Sequence, residues 1–295
     1  MLSKKEFDVL IAVMGQEGAS QRAISEETGY SIGTVNKLVK GLVEQGLYNG
    51  KTITEKGLET LEPYRVKRAI FLAAGFGSRL VPITLNTPKP LVRVHGKRII
   101  ETLLDAVVKA EIPEIILVRG YLGEQFEQLL HIYPQIKFVD NELYNESNNI
   151  SSAYCVRDLL KNAYVLESDL LLKNPKIIRK YEYSSNFLGI PVDVTDDWFL
   201  RVDNSGVIYE QGVGGKDCHQ MVGVSYWDEK DGAQLEKDLA EVFFSPGGKE
   251  RYWEQTALHY KKENYKIQIR ECTMDDIVEI DTFNELKQID KIYDI

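Results

Sequence analysis

Cysteine is nearly absent from this 295-residue chain. The three present, Cys155, Cys218 and Cys272, are far apart and odd in number, which excludes a disulfide framework and a cysteine zinc site. Histidine is equally sparse. None of the four (His95, His131, His219, His259) stands in a nucleophile–base arrangement. No uninterrupted apolar run approaches the roughly 18–20 residues of a membrane span, and the opening MLSKKEFDVL lacks a signal-peptide pattern. The expectation is a cytoplasmic protein with no membrane partner. Repeats and low-complexity tracts are missing too.

What is present is an ordinary globular composition, 43% apolar and 27% charged, in a length that suits two domains. Charge is unevenly spread. Residues 1–67 hold nine basic and nine acidic side chains, so the net −9 falls wholly on residues 68–295. An acidic domain of that kind repels nucleic acid and suits a small cationic substrate.

Residues 1–66 have helical periodicity. Phe7, Leu10, Ile11 and Met14 recur at helix spacing up to Gly15. The next stretch reads as a helix over Gln21–Glu27, a turn at Thr28-Gly29-Tyr30, and a second helix from a Ser31 cap to about Gln45. Ala23, Ile24, Ile32, Val35, Leu38, Val39 and Leu42 are expected inside. This is helix-turn-helix spacing, and with a short hairpin over Tyr48–Thr54 it resembles a small winged-helix domain of bacterial regulators. Ser31, Thr34, Asn36, Lys37 and Lys40 would then face a DNA groove. The even charge disfavours DNA as a partner, and packing on the second domain or a homodimer contact are the competing roles.

From Arg68 onward strand-like and helix-like segments alternate: strands at 68–72, 114–118, 136–139 and 164–167, helices at 99–110, 121–131 and 149–160. This predicts an α/β domain over 67–295 with a largely parallel sheet. Antiparallel segments are expected at 186–192, 198–202, 207–211 and 221–227, then helices at 234–243 and 249–262. Strands at 265–270 and 277–280 precede a final helix from Thr282.

The stretch LAAGFGSRLVPITLNTPKPL at 72–91 carries the chemistry. A strand runs into a turn containing Gly75, Gly77 and Ser78, where backbone N–H groups can approach phosphate oxygens closely. Arg79 adds a planar cationic fork and Lys89 a point charge. Neither the dinucleotide fingerprint (Leu80 stands where its third glycine belongs) nor a P-loop is present. The reading is a nucleoside triphosphate site. Carboxylates that would hold a divalent cation stand at two strand ends. Asp169 follows Tyr164–Glu167, and Asp281 follows Ile277–Ile280, where Asp281 also suits the N-cap of the last helix.

The glycine-rich stretch resembles the signature loop of nucleotidyltransferases that make nucleoside-diphosphate sugars and alcohols, L-A-A-G-x-G-[ST]-R followed by Pro-Lys. The resemblance implies a Rossmann-like mixed-sheet domain in which Leu72, Ala73, Ala74, Gly75, Gly77, Ser78 and Arg79 hold the triphosphate. It implies that Lys89 meets the incoming phosphate and that Asp169 and Asp281 hold Mg2+. Glu167 stands where that family has the first Asp of a D-x-D pair. The segments Asp197–Leu200, Gly223–Asp228, Tyr252-Trp253-Glu254 and Glu279-Ile280-Asp281 resemble bacterial CTP:phosphocholine cytidylyltransferases. They imply CTP and phosphocholine as substrates, with Trp198, Tyr226, Trp253 and Glu254 around the amine. The run Tyr144–Ser152 matches as well, and Asn149, Ser151, Gly120 and Tyr121 are the candidates near cytosine. 2-Aminoethylphosphonate, phosphoethanolamine, a sugar 1-phosphate and a ligand-sensing regulator remain alternatives.

Overall fold

The computed structural model describes residues 1–294, which form two compact units: residues 1–65 with Tyr181–Tyr183, and residues 66–180 with 184–294.

The first unit has four helices, α1 (Lys4–Gly15), α2 (Gln21–Thr28), α3 (Ile32–Glu44) and α4 (Glu55–Leu61), and each starts at a Ser or Thr whose hydroxyl accepts a backbone N–H of the first turn. Gly29 ends α2 in the left-handed region, at φ +70°. Phe7, Leu10, Val13, Ile24, Val35 and Leu42 form the core, with Tyr181 added to it. Ile32, expected inside, is 54% exposed; it is the first residue after the Ser31 cap, on the side of that turn away from the core. The hairpin over 48–54 reduces to one antiparallel bridge, Tyr48 with Ile53. α4 has no counterpart in the sequence reading, because its seven residues are short and interrupted by Gly57.

The second unit is built on a seven-stranded mixed sheet. Its strands are β1 (Arg68–Ala73), β4 (Glu114–Arg119), β5 (Ile136–Asp140), β6 (Ala163–Glu167), β8 (Asn186–Val202), β9 (Ile208–Trp227) and β10 (Gln268–Glu271), in the order β10-β8-β9-β6-β1-β4-β5. Two small pairs, β2 (Arg93–Val94) with β3 (Lys97–Arg98) and β7 (Leu170–Leu172) with β11 (Ile277–Glu279), complete the strands. β1 is parallel to both β4 and β6, whereas β9 is antiparallel to β6 and to β8.

Period-2 alternation along β1 sends Ala69, Phe71 and Ala73 to one face and Ile70 and Leu72 to the other. The first face is covered by α5 (Ile99–Lys109) through Ile100, Leu103, Leu104 and Val107. The second is covered by α6 (Ile150–Cys155) and α7 (Glu229–Phe243), through Ile150, Ala153, Leu235 and Leu239. Both faces being apolar is why β1 reads as an uninterrupted hydrophobic run. A last helix, α8 (Phe283–Ile289), closes the fold. Among the described residues no helix is long and apolar enough to cross a membrane.

Candidate active site

β1 has β4 on one side and β6 on the other, so the chain reverses its direction of travel across the sheet there. In open α/β sheets ligands bind in the crevice beyond the carboxyl ends of the strands at such a point. A cavity of about 600 Å3 lies there. The loop after β1 forms one wall, with Leu72 to Gly75, Gly77, Ser78 and Arg79. Ser168 Oγ donates to the Leu72 carbonyl at 2.8 Å and joins the ends of β1 and β6. Gly77 is at φ +64°, and a Cβ there would come within 2.8 Å of Lys89 Cβ and 3.1 Å of Thr84 Cγ2. The glycine therefore lets the loop turn and lets Lys89 pass beside it.

Lys89 is the electrostatic centre of the cavity, its side chain only 9% exposed. Its Nζ donates to Asp169 Oδ2 at 2.8 Å and to Asp281 Oδ1 at 3.0 Å, and Arg79 Nη1 donates to Asp281 Oδ2 at 2.7 Å. Burial pulls the Lys89 pKa down, but the two carboxylates outweigh it and the pKa lies above the ordinary lysine value. Arg79, 65% exposed, keeps its fork open toward solvent. The second reading of Asp281 is overturned: Thr282 caps α8 with Glu285 in a capping box, and the Asp281 carboxylate is engaged by the two cations.

Strand alternation sets the acids in place. Glu167 and Asp169 are two apart at the end of β6, and Glu279 and Asp281 are two apart at the end of β11. Glu167, Asp169 and Glu279 bring oxygens within 4.8 Å of one another, and Asp169 Oδ1 has no hydrogen-bond partner. Burial first, then the neighbouring Asp169 carboxylate, raises Glu167 and Glu279 well above the usual range. Such a set of hard oxygen donors fits a divalent cation. The expected pair, Asp169 and Asp281, shares Lys89 Nζ, and Asp169 also converges with Glu167 and Glu279. Glu279 was legible as a same-face neighbour of Asp281. Gly223 on β9 makes room for the longer Glu167, since a Cβ there would lie 2.7 Å from Glu167 Cβ and run into its carboxylate.

The opposite wall comes from the asparagine-rich turn and from β8, β9 and residues 252–254. Trp198 and Glu254 line the cavity together with Asp197, Met221 and Tyr252. The Trp198 and Tyr252 rings meet edge to face at 5.3 Å. Tyr226 and Trp253, expected at the amine, are core residues instead. Tyr226 is 1% exposed with its hydroxyl toward Asn162, and Trp253 packs on Phe187 and Trp227. In Tyr252-Trp253-Glu254 the middle residue turns inward, so Tyr252 is the aromatic that the sequence reading missed. Glu254 is 2% exposed, and burial pushes it up to about 7.

Asn149 and Ser151 line the cavity, but their side chains are partly committed. Asn149 Oδ1 accepts the Trp253 N–H at 2.9 Å. Ser151 Oγ accepts from Asn141 Nδ2 at 2.9 Å and donates to the Asn148 carbonyl at 3.0 Å. Gly120 and Tyr121 lie behind the wall. A Cβ on Gly120 would strike Tyr144 at 2.7 Å, and the Tyr121 hydroxyl donates to the Thr84 carbonyl at 3.0 Å. They brace the loop and Tyr144, which does line the cavity together with Asn141 and Ser152.

A strand-borne glycine loop, an Arg and a Lys beside clustered carboxylates define a nucleotidyl-transferring site. The nucleotidyl transferase family model matches residues 68–188, and a MarR family model matches residues 2–47. A 2-aminoethylphosphonate cytidylyltransferase of Lancefieldella rimae is 35% identical over 228 residues, 76% of this chain and 92% of the relative. A choline-phosphate cytidylyltransferase of Streptococcus pneumoniae is 32% identical over 228 residues, 76% of this chain and 97% of the relative. The solved CTP:phosphocholine cytidylyltransferase from Streptococcus pneumoniae superimposes with a TM-score of 0.71 at 31% identity, covering 77% of this chain and 99% of that one. The chain belongs to the nucleotidyl transferase family. It is an enzyme of that class with a winged-helix domain of the MarR type ahead of the catalytic fold.

Proposed function

We propose that this enzyme transfers CMP from CTP to a small phosphorylated or phosphonylated amine, releasing pyrophosphate; phosphocholine is the acceptor expected from the sequence. The observation that carries the reading is Lys89 held between Asp169 and Asp281 at the mouth of the glycine loop. An acceptor phosphate oxygen attacks the α-phosphorus, and the bond to the β-phosphate oxygen breaks. No general base is required, because a phosphate dianion is already a nucleophile near neutral pH. Lys89 meets the attacking phosphate. Arg79 and the amides of Gly75, Gly77 and Ser78 take up the charge that grows on the leaving pyrophosphate. Asn141, Tyr144, Asn149, Ser151 and Ser152 surround the base.

Asp169, with Glu167 and Glu279, would hold Mg2+. Bound there, Mg2+ supplies neutralisation of triphosphate charge. The phosphates of CTP compete with Asp281 for Arg79 and Lys89, which frees Asp281 to join Asp169. The cationic end of the acceptor is served by Trp198, Tyr252 and Glu254; aromatic faces attract any ammonium, including one without N–H groups.

Pyrophosphate release is to be measured with CTP and a panel of phosphocholine, phosphoethanolamine, 2-aminoethylphosphonate and a sugar 1-phosphate. Turnover with an amine acceptor and none with the sugar is expected. Lys89→Ala should lower kcat by about a hundredfold or more with an unchanged circular dichroism spectrum. Failure of every acceptor overturns the reading.

A further inference from the structure

Glu254 presents a carboxylate that its own backbone N–H and the Gln211 side chain only partly satisfy. It lines the cavity and is 2% exposed, yet its Oε2 has no hydrogen-bond partner among the described residues. A buried carboxylate oxygen without a donor is costly on general grounds. Such a group persists where a ligand completes it. The trio whose oxygens converge for a divalent cation, Glu167, Asp169 and Glu279, does not include Glu254, although Glu254 is near enough to raise Glu167. The same cavity is lined by the edge-to-face pair Trp198 and Tyr252, the second of them two residues before Glu254. Asp197 Oδ1 accepts the Trp198 backbone N–H at 2.7 Å. Aromatic faces attract primary and quaternary ammonium groups alike. A carboxylate distinguishes them, because a primary ammonium offers three N–H donors and a trimethylammonium none.

Resting on the function proposed above, we propose that Glu254 reads the N–H groups of the acceptor's cationic end, so that this enzyme prefers a primary ammonium to the trimethylammonium of phosphocholine. Trp198 and Tyr252 bind the charge, and Glu254 sets the specificity. A quaternary acceptor would leave Oε2 as unpaired as it is in the free enzyme and would press methyl groups against it.

The test is a methylation series of one acceptor: phosphoethanolamine, its N-methyl and N,N-dimethyl derivatives, and phosphocholine, at fixed CTP and Mg2+. Wild-type kcat/KM should fall along the series by about tenfold or more in total, with the steepest loss where the last N–H disappears. Glu254→Gln should lose about tenfold or more on phosphoethanolamine relative to its loss on phosphocholine, which flattens the series. Glu254→Asp should keep the order of preference at lower rates. A wild-type series that is flat or rises toward phosphocholine overturns the proposal, as does a Glu254→Gln variant that lowers all four acceptors equally. The wild-type series decides even if both variants fold poorly. Turnover of no amine acceptor at all would instead overturn the function proposed above.

Discussion

At the scale of single residues the cavity is a balance of charges that the fold itself disfavours. Glu167, Glu279 and Glu254 are all pushed toward the neutral form by burial, and Lys89 with Arg79 supplies the only opposing charge in direct contact with Asp281 and Asp169 among the described residues. For Glu254 the consequence for stability has a definite sign. Its folded-state pKa, about 7, lies above the ordinary 4.5, so the folded chain binds the proton more tightly than the unfolded chain. That contribution is complete below the ordinary value and is lost as pH rises through about 7. Glutamine mimics the protonated side chain at every pH. The unfolding free energies of wild type and Glu254→Gln, read from denaturant titrations, should therefore be close at pH 5 and diverge by pH 8 in favour of the variant, by up to about 3 kcal/mol at about 1.4 kcal/mol per pKa unit. A difference that stays constant between these pH values would show that Glu254 does not titrate as the burial implies.

Among elements, the asparagine-rich turn has the clearest structural consequence. Ser147 Oγ and the Asn148 N–H both donate to the Lys249 carbonyl, at 2.8 and 2.7 Å, Asn148 Nδ2 donates to the Glu250 carbonyl at 3.2 Å, and Asn149 Oδ1 accepts from Trp253 at 2.9 Å. The turn thus fixes the segment that carries Tyr252 and Glu254. Asn149→Ala removes one of these bonds and leaves the Trp253 N–H, in a buried residue, without its acceptor. That costs about 1–3 kcal/mol, felt mainly in the placement of Tyr252 and Glu254. The acceptor KM should rise about five- to tenfold with a smaller change in the CTP KM, read from two-substrate kinetics. A rise confined to CTP would show that Asn149 acts through the base alone.

The same element shows where the sequence was legible. That residues of the 72–79 loop, Lys89, Asp169 and Asp281 line one cavity was readable because a glycine turn, a fixed cation and an acid at a strand end each carry a local mark. The partition of Tyr252, Trp253 and Glu254 between cavity and core was not, because it depends on Phe187 and Trp227 packing against Trp253 from other strands. Tyr226 misled for the same reason. The strands β8 and β9 were expected as four short segments, since Asp196, Asp197, Gly212, Gly214 and Gly215 all weaken local strand preference. In the fold the two strands pair through that region with bulges, so the ladder overrides the local signal. The helix expected at 249–262 is broken instead into short turns around Gly248–Glu250, Thr256–Tyr260 and Lys262–Asn264.

For the whole molecule, the partition of the chain separates chemistry from stability. Every residue lining the cavity belongs to the second unit. The first unit, however, includes Tyr181–Tyr183 from deep within the sequence, which no boundary drawn at residue 66 or 67 would capture. Tyr181 is 3% exposed within the first unit's core. Tyr183 stacks on Tyr64 at 5.4 Å, and its hydroxyl donates to the Leu2 carbonyl at 3.2 Å. A chain that begins at residue 66 would bare both rings. A buried tyrosine covers roughly 150 Å2 or more, Tyr183 being partly buried, and at about 25 cal/mol per Å2 the pair accounts for several kcal/mol. The shortened chain should therefore melt at least about 5 °C lower and aggregate on heating, while its kcat and both KM values at low temperature stay within about twofold of the full chain. Replacing Tyr181 and Tyr183 by Ser in the shortened chain should restore solubility without altering these constants, because neither ring lines the cavity. Loss of turnover in the shortened, still folded chain would mean instead that residues 1–65 contribute to catalysis directly.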